Sequence, residues 1–197
     1  MPLSKILSAS IDTGVIPTSD FVLLATTDAS SSASVSFDGY FSSTYKNYKV
    51  IISGLKPATD NTEFYVRFRS SNSVVSSSNY TYAQMSGYVQ SNTSQGSGGG
   101  GGYNVNRIIL FDNADSGASE QSFLECTLFD PLATDSFKNI IVSSFQSNND
   151  ASQWSRMSTG GRLRINASTA LSGLTFTFSS GNIASGNFKL YGIKWKN

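Results

Sequence analysis

The residue types that usually carry catalysis are scarce in this chain. It contains no histidine, which removes the commonest general base, the commonest metal ligand and any Ser-His-Asp triad. Paired carboxylates, as in glycosidases, remain the only catalytic option. The candidates are Asp112, Asp115, Glu120, Glu125, Asp130 and Asp135. Their surroundings favour structural roles, because 112–117 and 130–131 have the composition of turns and Glu125 alternates outward on a predicted strand. We therefore predict a protein that is not an enzyme and has no catalytic residues.

Metal and nucleotide sites find equally little support. The single cysteine, Cys126, cannot build a thiolate zinc site or an intramolecular disulfide, and its alternating neighbours predict a buried free thiol. The turn from Asp112 to Asp115 could offer oxygens to calcium, although its spacing does not match an EF-hand loop. The glycine run Gly98–Gly102 lacks the Lys-Ser/Thr of a phosphate-binding loop. Its composition predicts a mobile surface loop between two strands. No cofactor and no metal is predicted.

Aromatic residues near predicted loops and strand ends are the better functional lead. Aromatic rings beside Asn, Gln and Ser side chains suit stacking on sugars or contact with a protein. Tyrosine also lines half-exposed β surfaces without any ligand, so both interpretations stay open. The candidate glycan or receptor contacts are Tyr80, Tyr82, Tyr88, Tyr103 and Trp154.

The elements that must position these residues are short strands. Apolar side chains alternate with polar ones at 64–68, 124–128 and 174–178, the period of a half-buried strand. About ten such segments are separated by turn-rich spacers, and no segment sustains helical periodicity. The pattern predicts an all-β, jelly-roll-like antiparallel β-sandwich over residues 20–197. Its predicted core residues are Val50, Ile52, Phe64, Val66, Phe68, Leu124, Cys126, Leu128, Ile140, Val142, Leu174, Phe176 and Phe178.

Composition and charge exclude several classes of partner. The chain has 197 residues, of which 39% are hydrophobic and 14% charged, and its 13 Phe, 9 Tyr and 2 Trp can supply a core. The net charge of +1 is scattered, so we expect no nucleic-acid partner. No apolar run is long enough to cross a bilayer, so we expect no membrane partner. The first residues have one Lys and no long apolar stretch, which does not fit a secretory signal.

Residues 1–19 differ from the rest of the chain. Thr13-Gly14 and Pro17 break any long helix. We predict an extended N-terminal arm that docks on a partner; a frayed terminus is the alternative. The predicted partner-binding side chains of the N-terminal arm are Leu3, Ile6, Leu7, Ile11, Val15 and Ile16.

Several segments resemble small structural proteins of tailed bacteriophages. The resemblance lies in Phe-Asp-Gly-Tyr-Phe at 37–41 with Tyr-Lys-Asn-Tyr-Lys-Val at 45–50, in 55–60 leading into 64–69, and in the ending 180–194. The opening 1–5 is similar to the starts of many such proteins. The resemblance covers most of the chain and is firmest at 37–82 and 174–195. The chain is nevertheless shorter than typical fibre proteins and has no repetitive shaft.

This resemblance implies a β-sandwich protein of the virion, used as tail fibre, head fibre or capsid decoration, without catalytic residues. The compact length favours a capsid cement or decoration protein on the particle surface. A tail-fibre or fibre-tip protein that binds a host receptor or glycan is the alternative. The expected partners are the chain itself, as a homotrimer, and other virion proteins such as the major capsid protein. We expect synthesis in the bacterial host cytoplasm and final location on the virion surface.

Overall fold

A computed structural model describes residues 20–89, 95–148, 153–163 and 169–194. Within these ranges every regular element is a β-strand and every strand pairing is antiparallel, which confirms the all-β prediction. No helix in the described residues is long and apolar enough to cross a membrane. In chain order the strands are β1 (Phe21–Ser32), β2 (Val35–Asp38), β3 (Tyr45–Pro57), β4 (Thr62–Ser70), β5 (Ser73–Val74), β6 (Tyr80–Val89), β7 (Gln95–Val105), β8 (Ile108–Ala114), β9 (Ser122–Phe129), β10 (Lys138–Asn148), β11 (Gln153–Leu163), β12 (Gly173–Phe178) and β13 (Ile183–Lys194).

The strands form two sheets that share one core. The larger sheet has the order β1-β13-β3-β9-β10-β11-β6-β7, and the smaller has the order β2-β12-β4-β5, with β8 also paired to β4. Buried side chains of both sheets belong to a single cluster. Phe176 of β12 and Phe188 of β13, for example, have ring centroids 5.9 Å apart. The architecture is therefore an antiparallel β-sandwich.

The period-2 pattern assigns the inward faces correctly. All the side chains predicted for the core are buried, including the thiol of Cys126. Burial raises the pKa of that thiol to about 12, because removing it from water disfavours the charged thiolate. Alternation succeeds here because the inward side chains of both sheets pack against each other, while their neighbours face outward.

The predicted N-terminal arm, residues 1–19, lies outside the described residues. Its six proposed contact residues, Leu3, Ile6, Leu7, Ile11, Val15 and Ile16, therefore stay predictions. The first described residue is Asp20, whose carbonyl accepts a hydrogen bond from the backbone N–H of Lys194 at 2.8 Å. This bond fixes the start of β1 at the edge of the larger sheet.

The prediction that Gly98–Gly102 is a loop is wrong. The run lies inside β7, which pairs with β6 from Gln95 to Val105. A Cβ atom on Gly96 would lie 2.2 Å from the ring of Tyr88, and one on Gly101 would lie 2.6 Å from the carbonyl oxygen of Tyr82. Glycine is found in a strand where another group approaches closely. Packing against β6 therefore outweighs the low intrinsic strand preference of glycine.

Candidate interaction surface

The outward face of the larger sheet exposes many large apolar side chains. On β10, Ile141 is 56% exposed, whereas its neighbours Ile140 and Val142 are buried. The same alternation exposes Phe123 and Phe129 on β9. Most exposed large apolar side chains of the described residues lie on this side of the molecule. We call this set the apolar outer face: Phe21, Leu23, Ile51, Met85, Phe123, Phe129, Ile141 and Phe145.

Strand register brings the centre of this face together. Phe123 of β9 lies directly opposite Phe145 of β10. One step along β9, Glu125 lies opposite Ile51 of β3. Directly paired residues of antiparallel strands have Cβ atoms about 4.5–5.5 Å apart. Side chains from three adjacent strands therefore form one continuous apolar area.

Two shallow depressions give this area relief. The first, of about 290 Å³, is lined by Ile51, Phe123 and Phe145 together with Ser53, Glu125 and Ser143. The second, of about 430 Å³, includes Thr81, Ala83, Asn139 and Ile141 in its lining. Contiguous exposed apolar surface of this kind marks a binding site for a protein or another apolar partner.

Gly160 explains the position of the second depression. It lies between Ile141 of β10 and Ala83 of β6 in the strand register. Glycine has no side chain and alanine has only a methyl group, so the surface is low beside Ile141. An apolar side chain of a partner could pack into this space against the exposed flank of Ile141.

An ion pair crosses the centre of the apolar outer face. The Lys49 ammonium lies 2.7 Å from a carboxylate oxygen of Glu125. The same ammonium lies 5.9 Å from the centroid of the Phe21 ring, within the range of a cation–π contact. Because the two charges neutralise each other, the centre suits an occupant that is largely apolar and uncharged.

The proposed aromatic contact residues do not form one site. The prediction that Tyr80 is exposed is wrong: its side chain is fully buried, its hydroxyl donates to the Val75 carbonyl at 2.7 Å, and it accepts from the Phe68 backbone N–H at 3.0 Å. Burial raises the pKa of Tyr80 well above its usual range. Its large ring fills the core because both ends of its hydroxyl chemistry are satisfied there.

The other aromatic candidates are divided between the two sides of the larger sheet. Tyr82 is half-buried and packs against the core, and burial raises its pKa. Tyr88, also half-buried, shares the inward side of β6 and lies opposite Gly96. Tyr103 is 66% exposed and lies opposite Thr81 on the outward side. Trp154 lies opposite Val89 in β11, but its side chain is outside the described part of the chain.

The predicted carboxylates mostly serve local contacts. Asp130 pairs with the Lys46 ammonium at 2.6 Å, and this hydrogen bond raises the pKa of Lys46. Buried Glu120 accepts a hydrogen bond from the backbone N–H of Gly117 at 2.5 Å. Asp115 accepts one from the backbone N–H of Asn61 at 3.1 Å. With the Lys49–Glu125 pair, these contacts account for four of the six candidates as structural groups.

The remaining two, Asp112 and Asp135, have different surroundings. Asp112 lies in β8, and its backbone carbonyl accepts a hydrogen bond from the Gln146 amide at 2.8 Å. Asp135 lines a polar depression of about 570 Å³ with Asp130 and Lys46. Within the described ranges, no three His, Cys, Asp or Glu residues are placed to hold a metal ion. The stretch from Asp112 to Asp115 thus gathers no metal-binding cluster among those residues.

Sequence analysis did not identify the apolar outer face. The segments 123–129 and 140–145 carry apolar residues on both sides of their strands, and only the inward series was followed. Comparison with known proteins adds no functional assignment: no family model matches the chain, and no curated protein matches it significantly.

Proposed function

We propose that this protein is a non-enzymatic structural subunit of a tailed-bacteriophage virion and that it acts as a cement or decoration protein on the capsid surface. The observation that carries the proposal is the apolar outer face, a broad surface for contact with protein on a sandwich with a large core. A surface subunit needs such a face because contacts between subunits draw on buried apolar area. The resemblance of 37–50, 55–69 and 180–194 supports the virion as the setting.

A structural role is also supported by the state of the candidate catalytic groups. Glu125 and Asp130 are engaged by lysines, and Glu120 and Asp115 by backbone N–H groups. A glycosidase would need two carboxylates facing one substrate across a cleft, one of them with a raised pKa. The known contacts of these four residues stabilise turns and strand pairs instead.

In this proposal the sandwich has a jelly-roll-like topology and the N-terminal arm docks on a neighbouring subunit. The chain assembles as a homotrimer, because identical surfaces are satisfied by closed symmetry. It attaches to other virion proteins, with the major capsid protein as the main partner. It is made in the host cytoplasm and reaches its final place on the virion surface.

Purified particles from an infected culture test this proposal. Quantitative mass spectrometry would give the number of copies of this chain relative to the major capsid protein. A decoration protein is expected in a simple ratio to the capsid subunit, because it follows the capsid symmetry. Absence of the chain from washed particles would contradict the proposal.

A fibre-tip protein that binds a host glycan is the second candidate. The observation in its favour is Tyr103, whose ring is mostly exposed on the edge strand β7 and could stack on a sugar. A glycan array probed with the wild-type protein and with Tyr103→Ala tests it. Binding that Tyr103→Ala abolishes, together with only a few copies per particle, would favour this alternative.

A further inference from the structure

We propose that the apolar outer face is the docking site for the N-terminal arm of a neighbouring copy of this chain. This inference deepens the proposed function, on which it rests, by naming both halves of the contact between subunits. One half is the area around Ile51, Phe123, Ile141 and Phe145, exposed on the described sandwich. The other is residues 3–16 of the adjacent copy.

The arm joins the sandwich at the border of this face. Residues 1–19 lead into β1, the edge strand of the larger sheet. The first residues of β1 already belong to the face, since Phe21 is 47% and Leu23 is 52% exposed. Phe21 lies opposite Ile193 of the next strand. An apolar surface thus continues from the end of the arm onto the sheet.

The direction of β1 favours a neighbouring copy over the same copy. Ile193 lies opposite Asn47 of β3, and Asn47 lies opposite Phe129, so Phe21 belongs to the row at that end. The centre of the face begins four residues further along β3, at Ile51, about 13 Å away. Because β1 runs from Phe21 towards this centre, the chain before Phe21 approaches from the opposite side. To cover its own sheet the arm would have to reverse direction.

The length of the arm suffices for exchange. Nineteen residues span at most about 60 Å when fully extended, whereas eight strands of a sheet span only about 34 Å. The arm can therefore cross the border of its own sandwich and still lie across several strands of the next. Exchange of an identical element gives each copy one donor and one acceptor surface, an arrangement that closes into a ring.

The chemistry of the arm also fits the face. The arm carries six large apolar side chains and only two charged ones, Lys5 and Asp12. The centre of the face is apolar, and its central charges, Lys49 and Glu125, already neutralise each other. A mainly apolar segment can bury its side chains there without leaving a charge unpaired. Ordering the arm is costly, so only a docked arm repays its conformational entropy.

The first experiment measures the mass of the full-length chain by size-exclusion chromatography with light scattering over a range of concentrations. Face variants Phe123→Ser and Phe145→Ser are compared with arm variants Leu7→Ser and Ile11→Ser. We expect an oligomeric wild type and self-association weakened about tenfold or more by each of the four substitutions. Tyr40→Ser is the control, since Tyr40 is 42% exposed and Phe145 is 40% exposed, but Tyr40 follows β2 of the smaller sheet. We expect this control to retain the wild-type mass.

The second experiment identifies which chain contributes the arm. Chains carrying Ile11→Cys and Phe145→Cys, with different affinity tags, are coexpressed and oxidised in a glutathione buffer. We expect a disulfide between the two tagged chains; native Cys126 is buried and does not compete. A double variant that links only within one chain would overturn the exchange.

Three further outcomes would overturn the inference: a monomeric wild type, an oligomer that arm variants leave intact, and an equal loss in Tyr40→Ser. An oligomer sensitive to face variants alone would show that whole faces pair instead. Failure of the inference is separable from failure of the proposed function. Arm exchange in a protein absent from particles would contradict only the virion role, whereas a particle-bound monomer would contradict only the exchange.

Discussion

Truncation of Phe176 tests whether the two sheets are packed as described. Phe176 lies on β12 of the smaller sheet and is fully buried. Its ring centroid lies 6.1 Å from that of Phe64 and 5.9 Å from that of Phe188. Since Phe188 belongs to the larger sheet, Phe176 joins the two layers. Phe176→Ala should leave a cavity between them.

The expected cost of Phe176→Ala is about 3–5 kcal/mol, which combines lost burial of the ring with the cavity left behind. A domain of this kind is stable by about 5–15 kcal/mol, so the loss is a large part of the total. Urea unfolding followed by circular dichroism measures the free energy of unfolding. Its midpoint should move to clearly lower urea at an unchanged slope.

Phe137→Ala is the matched control for this experiment. Phe137 is 45% exposed and precedes β10, so the same change should cost less than about 1 kcal/mol. A loss below about 1 kcal/mol for Phe176→Ala, or equal losses for both variants, would refute the assignment of Phe176 to the core between the sheets.

Three further predictions concern the edge strand, the pH dependence and the N-terminal arm. Gly101→Ala should destabilise the protein by about 1–3 kcal/mol, because its Cβ would lie 2.6 Å from the Tyr82 carbonyl oxygen, whereas Gly87→Ala on β6, with nothing within 4 Å, should cost less; equal midpoints in urea would contradict the pairing of β7 with β6. Burial alone would raise the pKa of Asp38, but hydrogen bonds from Ser172 and Arg69 lower it overall, so Asp38 contributes stability above its unfolded pKa of about 4 and loses it as the pH falls through the lower folded value. Urea midpoints between pH 5 and pH 2 should therefore fall less steeply in Asp38→Asn than in the wild type, and parallel curves would refute this. Deleting residues 2–16 should leave the β-sheet circular dichroism spectrum intact and reduce the oligomer mass, since the described core contains no residue of the arm; loss of the spectrum would place the arm in the core instead.

The sequence predicts the inward faces well because two packed sheets impose a strict alternation. Phe64, Val66 and Phe68 have exposed or half-buried neighbours throughout β4, so the pattern is unambiguous. In β9 the inward Leu124, Cys126 and Leu128 were found by the same rule. These positions depend on the local strand period alone.

The features that were missed depend on partners distant in sequence. The glycine run forms a strand because β6 provides pairing partners and side chains that need the space above it. Consequently the small cost expected for shortening Gly98–Gly102 as a free loop no longer applies. The apolar outer face was missed because Phe123, Phe145 and Ile51 become neighbours only through strand register. Tyr80 was misassigned because its hydroxyl partners, Phe68 and Val75, are backbone groups.

The most direct test of the central claim is a cryo-electron-microscopy reconstruction of the intact particle from an infected culture. The account predicts density that fits this two-sheet sandwich on the outside of the capsid, arranged on its symmetry axes. The apolar outer face should be covered by density from an adjacent copy in that reconstruction. A capsid surface without the sandwich, or particles that lack the chain altogether, would contradict the claim.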